Sequence, residues 1–468
     1  MDVKAEKKYN CIQKAICSII SKFDLIKTAF KDGDKLTKLS FIIMGSANLA
    51  RGQIVKGMAF LLSEIFFIIY MINTGIEKVL SLRNLGTMKQ GWVYDETLGI
   101  DLLQDGDNSM LILLYGIFAA FIIVAFICIW ILNIKSSMEV QRIVENNEEV
   151  PKFKESVKDF LDKKLHITLM TLPLIGIFSF TVLPLVFMIL IAFTNYDSKH
   201  QPPGNLFTWV GLENFRIMMN SAGTIANTFW PVLRWTLTWA VLATITTYIG
   251  GILLALLINK KNVKMRAFWR TIFITSIAVP QFVSLLTLKT MLRDEGAVNV
   301  LLQQLGIISQ PIQFWTNASI ARITVIMVNI WIGVPFTMLT VTGVLINIPK
   351  ELYEAAKVDG ANAIVIFFKI TMPYILFITA PKLITDFIGN INNFNVIYLL
   401  TEGGPANLNY FQAGKTDLLV TWLYKLTVNG KEYSYASTIG IIVFIISIII
   451  SLLCYRRTAA YKEEGDFS

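Results

Sequence analysis

The chain has 468 residues, of which 54% are hydrophobic and only 16% charged, with a formal net charge of +9 and a mean hydropathy of +0.57. A soluble protein carries about 25% charged residues, so this balance excludes an ordinary globular domain and points to a multi-spanning membrane protein, whose excess basic residues mark a cytoplasmic side rather than affinity for nucleic acid. Cys11, Cys17, Cys128 and Cys454 have no CxxC spacing, and His166 and His200 are the only histidines, which leaves no basis for a disulfide framework or a metal centre.

Residues 1–40 mix nine lysines with acids and lack a clean apolar stretch, so they read as a cytoplasmic segment rather than a cleavable signal. The short apolar run Phe41–Ala50, followed by Arg51 and Lys56, reads as an interfacial or re-entrant elbow. A bilayer-spanning helix takes roughly 20 mostly apolar residues. Eight segments satisfy that length, near 54–73, 110–134, 167–193, 229–258, 271–291, 321–346, 374–400 and 435–455. The expected fold class is therefore an all-α polytopic membrane protein with about eight transmembrane helices. The lysine-rich N-terminus, Lys135 to Lys164, the cluster Lys260, Lys261, Lys264, Arg266 and Arg270, and Arg456, Arg457 and Lys462 all fall on one side of that arrangement, which makes it the cytoplasm and places both termini there. The segment 138–165, rich in Lys and Glu, reads as a solvated helix or linker. The outward loops near 74–109, 194–228, 292–320 and 401–434 are too short to hold a folded domain.

On the cytoplasmic side lies a polar insert, Ile348–Pro373, between the sixth and seventh spans. Lys350 to Val358 should form a short helix, with Pro349 at its first position, Asn347 near enough to help cap it, and Glu351 and Glu354 placed where the helix dipole favours acids. Gly360 takes a positive φ at little cost and ends that helix. A second short helix is expected over Ala361–Ile370, terminated by Pro373. Two helices meeting at a glycine make a protruding knuckle, on which Ala355 and Ala356 keep the surface low and Glu354 offers a charge to a partner's arginine. Glu354-Ala355-Ala356, Gly360 after three further residues, and Ile370 to Pro373 nine residues beyond resemble the EAA loop of binding-protein-dependent ABC importers. From about residue 167 onward, AFTNYD (192–197), WVGLENF (209–215), VPQFVSLL (279–286), NNFNVIYLLTEGGP (392–405) and TDLLVTWLY (416–424) resemble the larger permease subunit of maltose and maltodextrin importers, in a form without the large periplasmic insert, as in Gram-positive bacteria.

That resemblance implies a type I ABC importer permease. It implies a division into an N-terminal region with its elbow (1–53), two accessory helices with a charged linker (54–166), a permease core of six helices carrying the coupling loop 348–373 (167–456), and a tail (457–468). It makes Glu351, Glu354, Ala355, Ala356, Asp359 and Gly360 the contact with the motor. It further implies a second permease subunit, two copies of an ABC ATPase that bind ATP and Mg, an extracellular lipid-anchored sugar-binding protein, no cofactor and no catalytic residue in this chain, and a location in the cell membrane. Gly414-Lys415-Thr416 mimics the end of a phosphate-binding loop, but the earlier glycine that such a loop needs is Asn409 and the segment is outward.

The seventh span carries the most polar constellation: Asp386, Asn390, Asn393 and Ile397 recur at i, i+4, i+7 and i+11, along one helical face. Buried amides are costly in hydrocarbon unless they find partners. Those partners are sugar hydroxyls, which Asn both donates to and accepts from, or other helices of the bundle. Asn390, Asn393 and Gly333 match sugar-contact positions of the maltose-type family, although for Gly333 close helix packing is the alternative. Gln281 stands where that family has a small hydroxyl residue, Ile277 where it has an aromatic, Phe336 where it has a tyrosine and Asp386 where it has a serine, which bears against maltose itself. Lys382, four residues from Asp386, is a candidate ion-pair partner. Trp235, Trp239, Trp331 and Phe336 could stack on a sugar, the commoner role of membrane tryptophans being interfacial anchoring or packing, and Arg234 is placed to snorkel. The expected function is import of a maltodextrin-like oligosaccharide by alternating access driven by ATP hydrolysis on partner subunits. The alternatives are a permease for another sugar or polyol, such as glycerol phosphate or a galacto-oligosaccharide, and an ion-coupled secondary transporter, which would show acids or broken helices at the midplane.

Overall fold

The computed structural model describes residues 24–151, 165–220, 223–260 and 263–456, with Glu155, Lys158, Leu161 and Asp162 between. Residues 1–23 of the predicted N-terminal segment, several lysines of the 135–165 linker and the tail 457–468 lie outside it. Among the described residues, seven helices are long and apolar enough to cross a membrane. Compact packing divides the chain after Trp209.

In the first unit, two short helices, α1 (Lys35–Leu39) and α2 (Ser46–Ala50), the second within the segment read as an elbow, precede α3 (Ile54–Ser81). A small antiparallel hairpin follows, β1 (Gly91–Asp95) with β2 (Ile100–Gln104), then α4 (Ser109–Glu145), capped by Asn108, and α5 (Leu165–Ile191). The elbow is pinned to α4 by buried amides. Asn133 accepts from Gly45 N at 2.9 Å and donates to Ser40 O at 2.8 Å. Asn48 donates to Ser136 Oγ and to Gln53 Oε1, each at 2.8 Å. Asn48 Oδ1 is left without a partner among the described residues, and losing a further partner leaves another buried group unsatisfied at about 1–3 kcal/mol. Asn133→Ala is accordingly expected to lower the thermal stability of the purified protein and to make the 40–50 segment more sensitive to protease. Unchanged proteolysis would show that the elbow is held by other contacts.

The second unit begins with α6 (Glu213–Met219) and α7 (Thr224–Asn259), and α7 packs along most of its length against α11 (Ala318–Asn347). Buried clusters follow α7 from end to end: Phe229 and Val232 with Trp422 and Ile439, then Trp235 and Trp239 with Val325, Val328 and Val396, then Tyr248 and Ile252 with Met338, Val341 and Ile375. Its opposite face, Leu242, Ile245, Ile249 and Leu253, is exposed and wholly apolar at helical spacing, the signature of a helix that faces lipid.

The predicted span at 271–291 is not one helix. It is broken into α8 (Arg266–Ala278) and α9 (Gln281–Met291) by extended backbone at Val279 and Pro280, because proline restricts the residue before it and supplies no N–H to continue the ladder. α10 (Ala297–Gln304) leads to α11. After α11 come α12 (Lys350–Val358) and α13, which starts at Ala363–Ile366, widens over Phe367–Thr371 and continues as Met372–Ile391. The seventh predicted span is also interrupted: Asn392 and Asn393 leave the helix, and α14 (Phe394–Thr401) starts afresh. α15 (Leu419–Val428) and α16 (Tyr433–Tyr455) complete the unit.

Candidate functional site

α7, α11 and α13 enclose a chamber of about 460 Å³ in the second unit. From α7 it is lined by Thr244, Thr247 and Tyr248, from α11 by Asn329, Gly333, Phe336, Thr337 and Thr340, and from α13 by Lys382, Thr385, Asp386, Gly389 and Asn390. Asn390 donates to Thr244 Oγ1 at 2.9 Å, while its own backbone carbonyl accepts the indole N–H of Trp239 at 3.0 Å. Lys382 Nζ lies 2.5 Å from Asp386 Oδ2, so the predicted ion pair forms, with both groups partly exposed to the chamber. The hydroxyl of Thr247 is buried without a partner among the described residues. Polar side chains thus converge on a cavity with apolar walls, the usual form of a small-molecule site.

Asn393 does not continue the helical face that holds Asp386 and Asn390. It caps α14, accepting from Val396 N at 3.3 Å, and reaches Asn390 Oδ1 and Asn329 Oδ1 at 3.4 Å. Ile397, expected on the same face, is fully buried. The break at Asn392 turns the chain before that periodicity can extend. Gly333 serves helix packing as well as lining the chamber, since a Cβ there would lie 2.5 Å from Thr247 Cγ2. Trp235 and Trp239 do not present their faces to a ligand: both are buried, with the indole of Trp235 donating to Thr416 O at 3.1 Å. Trp331 and Phe336 remain about half exposed. Ile277 and Gln281 line a second, smaller cavity of about 240 Å³ at the α8–α9 break, together with Trp331 and Phe336. Thr244, Thr247, Asn329, Thr337 and Thr340 were not expected. They share the i, i+3/i+4 spacing along α7 and α11, but that spacing alone does not separate them from threonines bonded to their own helix.

The insert after α11 has the predicted knuckle. α12 spans the expected residues and ends as Asp359 N bonds Ala355 O, Gly360 N bonds Lys357 O and Ala361 N bonds Ala356 O, with Gly360 at φ +76°. This is the glycine-ended closure in which a left-handed residue lets trailing N–H groups reach orphan carbonyls. Three expectations are corrected. Pro349 stands just before the helix as its cap, not inside it. Asn347 turns its amide back to Gly343 O at 3.0 Å and does not help cap α12. Pro373 does not end the second helix, because the widened turn Phe367–Thr371 makes room for its ring and α13 runs on to Ile391. Tyr353 Oη lies 3.2 Å from Thr371 Oγ1, tying the knuckle to that turn. Glu351, Glu354, Ala355, Asp359 and Gly360 are exposed and Ala356 is half-buried, ringed by exposed Leu352, Val358 and Ile364.

A bundle of long apolar helices, a polar chamber between three of them and an exposed helix–glycine–helix loop define a membrane permease. Residues 248–459 match the family of binding-protein-dependent transport system inner membrane components. Over 91% of its length the chain is 33% identical to the galactooligosaccharides transport system permease protein GanP of Bacillus subtilis, covering 97% of that protein. Over 90% it is 33% identical to the maltodextrin transport system permease protein MalC of Streptococcus pneumoniae, covering 95% of it. The fold matches a chain of a bacterial alginate ABC transporter, solved with its pentasaccharide-bound periplasmic protein, at a TM-score of 0.53 and 24% identity over 64% of this chain and 96% of that one. The chain belongs to this family: it is a permease component of a binding-protein-dependent ABC importer.

Proposed function

We propose that this permease carries a neutral, maltodextrin- or galacto-oligosaccharide-like sugar, and that the sugar passes through the chamber between α7, α11 and α13. The observation that carries the reading is the convergence of Asn390, Asn329 and the Lys382–Asp386 pair on one cavity. Amides and hydroxyls match sugar hydroxyls as both donors and acceptors. The Lys382–Asp386 pair cancels its own charge, which suits a neutral cargo while leaving lone pairs and N–H groups to bind it. Phe336 supplies an apolar wall for a pyranose face, Gly333 sits at the chamber wall, and Asn393 acts through Asn390 and Asn329, to which it is bonded. Relatives that handle maltodextrin and galactooligosaccharides support the substrate class without choosing between them.

In this reading the α12 knuckle docks on an ABC ATPase present in two copies. Glu351, Glu354 and Asp359 pair with basic groups there, and Leu352 and Val358 fill an apolar cleft. ATP and Mg bind to those partners. Gly414-Lys415-Thr416 is unsuited to phosphate, since the Gly414 N–H is already given to the Asp417 carboxylate at 2.7 Å and Lys415 lies over the Tyr410 ring. A second permease subunit completes the pathway, and an extracellular lipid-anchored binding protein of a Gram-positive cell delivers the sugar. Both termini are cytoplasmic. The runner-up within this family is a permease for another sugar or polyol; the ion-coupled secondary transporter is set aside by the family match.

Asn390→Ala should lower uptake of maltodextrins or galacto-oligosaccharides by the reconstituted transporter roughly tenfold or more, the loss of hydrogen bonds to a bound hydroxyl, with assembly intact. Loss of assembly in place of uptake would make Asn390 a packing residue and remove the chamber as the sugar path.

A further inference from the structure

The elbow region of the first unit is built inside out. Polar side chains fill its interior: Thr37, Ser40 and Asn48 are fully buried and Gln53 nearly so. Its apolar side chains point away: Phe30, Leu39, Ile42 and Ile43 are exposed, Ile42 to 77%. A loop free to rearrange would turn such side chains inward, but this one is locked. Gly45, at φ +81°, lies so close to α3 that a Cβ there would fall 2.1 Å from Gly57 O. Beside it Met44 N donates to the Glu64 carboxylate at 2.8 Å. The helical residues 24–32 are held against α4 through Ala29, which packs with Ile134 and Met138. A rigid surface with this inverted burial is suited to an apolar medium and not to water.

The level of that surface in the membrane follows from α4. Trp130 lies about 30 Å along the helix from Ser109 at 1.5 Å per residue, the thickness of a hydrocarbon core. Its indole donates to Phe41 O at 3.0 Å. Phe30, Phe41 and Trp130 form a chain of edge-to-face contacts, with centroids 6.0 and 5.7 Å apart. Aromatic rings gather at the membrane–water boundary, which is where this trio stands. Lys27, Lys31, Lys35 and Lys38 recur at three- and four-residue spacing on the same elements, and all are exposed. Arg51 is used internally, on Asp34 at 2.6 Å and Ser137 O at 3.3 Å. The four lysines, by contrast, have no ion-pair partner among the described residues.

We infer that this region is a docking surface for anionic phospholipid. Acyl chains cover Phe30, Leu39, Ile42 and Ile43, and the four ammonium groups hold the phosphate headgroups at the rim. Apolar contact and charge act together here, as stable attachment to a bilayer surface requires two such signals. In the orientation proposed above, the headgroups are those of the cytoplasmic leaflet.

The test titrates the complete transporter in detergent with phosphatidylglycerol or phosphatidylcholine and reads the bound lipid by native mass spectrometry. Lys27→Gln, Lys31→Gln, Lys35→Gln and Lys38→Gln, made together, should weaken phosphatidylglycerol binding about tenfold or more and leave phosphatidylcholine binding unchanged. The same four positions changed to arginine keep the charge and should keep the preference. Ile42→Asn with Ile43→Asn alters exposed side chains and should weaken both lipids by a similar factor. Phosphatidylglycerol held by the glutamine variant as tightly as by the unaltered protein refutes the inference, as does loss of the preference in the arginine variant too. Displacement of the lipid by inorganic phosphate would overturn it in favour of a free-anion site. Dissociation of a self-associated transporter in the isoleucine variant would overturn it in favour of a contact between copies.

Discussion

Gly360→Val is expected to abolish coupling while leaving the membrane bundle intact. Gly360 sits at φ +76°, and a Cβ placed there meets no atom within 4 Å, so the position has room for a side chain but not the backbone for one. A β-branched residue in the left-handed region costs about 1–2 kcal/mol or more, and the chain relieves that cost by rotating φ. Such a rotation breaks the bonds from Gly360 N to Lys357 O and from Ala361 N to Ala356 O and swings α12 away from the start of α13. The exposed face of α12 then no longer meets its partner in register. ATP-dependent uptake should fall about tenfold or more, the equivalent of 1.4 kcal/mol of lost docking, and the ATPase should no longer respond to sugar. Gly360→Asn is the control, because asparagine visits the left-handed region readily, and it should keep most of the activity. Glu354→Ala, which removes a charge and no backbone constraint, should weaken association with the ATPase in a salt-dependent manner. Full coupled uptake by Gly360→Val and Glu354→Ala together would falsify the assignment of the knuckle to the motor.

The knuckle was legible because its signals are local. Lys350 to Val358 is a run of good helix formers closed by a glycine, and both the bounds of α12 and the positive φ of Gly360 follow from that. The misreading of Pro373 has an equally local cause. Proline forbids a regular helical bond but tolerates a helix that first widens, and the sequence carries no mark that distinguishes stopping from widening. Likewise Pro280 and Asn392 break spans that hydropathy alone makes continuous, since apolar content measures length in the membrane and not backbone path.

The chamber was half legible. Asp386, Asn390 and Lys382 stand on one regular face of α13, so their spacing foretold their convergence. Asn393 and Ile397 lie beyond the break, where the same spacing loses its meaning. Gln281 and Ile277 matched the pocket of related permeases by position, yet they face the neighbouring cavity. Thr244 and Asn329 were passed over because a threonine or a single asparagine in a long apolar helix satisfies itself on the preceding turn as readily as it binds across helices. Only the three-dimensional approach of α7, α11 and α13 tells these cases apart: Thr246 bonds Leu242 O on its own helix, while Thr244, two residues earlier, accepts from Asn390.

Lys425→Met is expected to be the most destabilising single change outside the helices that cross the membrane. Asp417 is fully buried, and its carboxylate accepts from Lys425 Nζ at 2.6 Å, Gly414 N at 2.7 Å and Thr421 Oγ1 at 2.8 Å. Around it Thr416 bonds Gly404 O and Thr401, so one side chain organises the whole 401–421 loop. Removing the ammonium leaves a buried charge without its counter-ion, a loss of about 3–5 kcal/mol, or on the order of 10 °C in a thermal melt for a unit of this size. Burial pushes the Asp417 carboxyl above its ordinary value of 3.8, while Lys425 and the hydrogen bonds pull it back down without cancelling the rise. A carboxyl raised in the folded state gives its full contribution below the unfolded value and loses it as pH climbs through the raised one. Deleting Lys425 removes the principal downward pull, so that loss extends to higher pH. The deficit of Lys425→Met relative to the unaltered protein should therefore be small in acid and grow toward neutrality. Asp417→Asn in the same background should recover part of it by removing the charge outright. Melts of the detergent-solubilised proteins at pH 5 and pH 8 decide the matter: a deficit equal at both would mean that Lys425 does not stabilise the loop by answering the buried carboxylate.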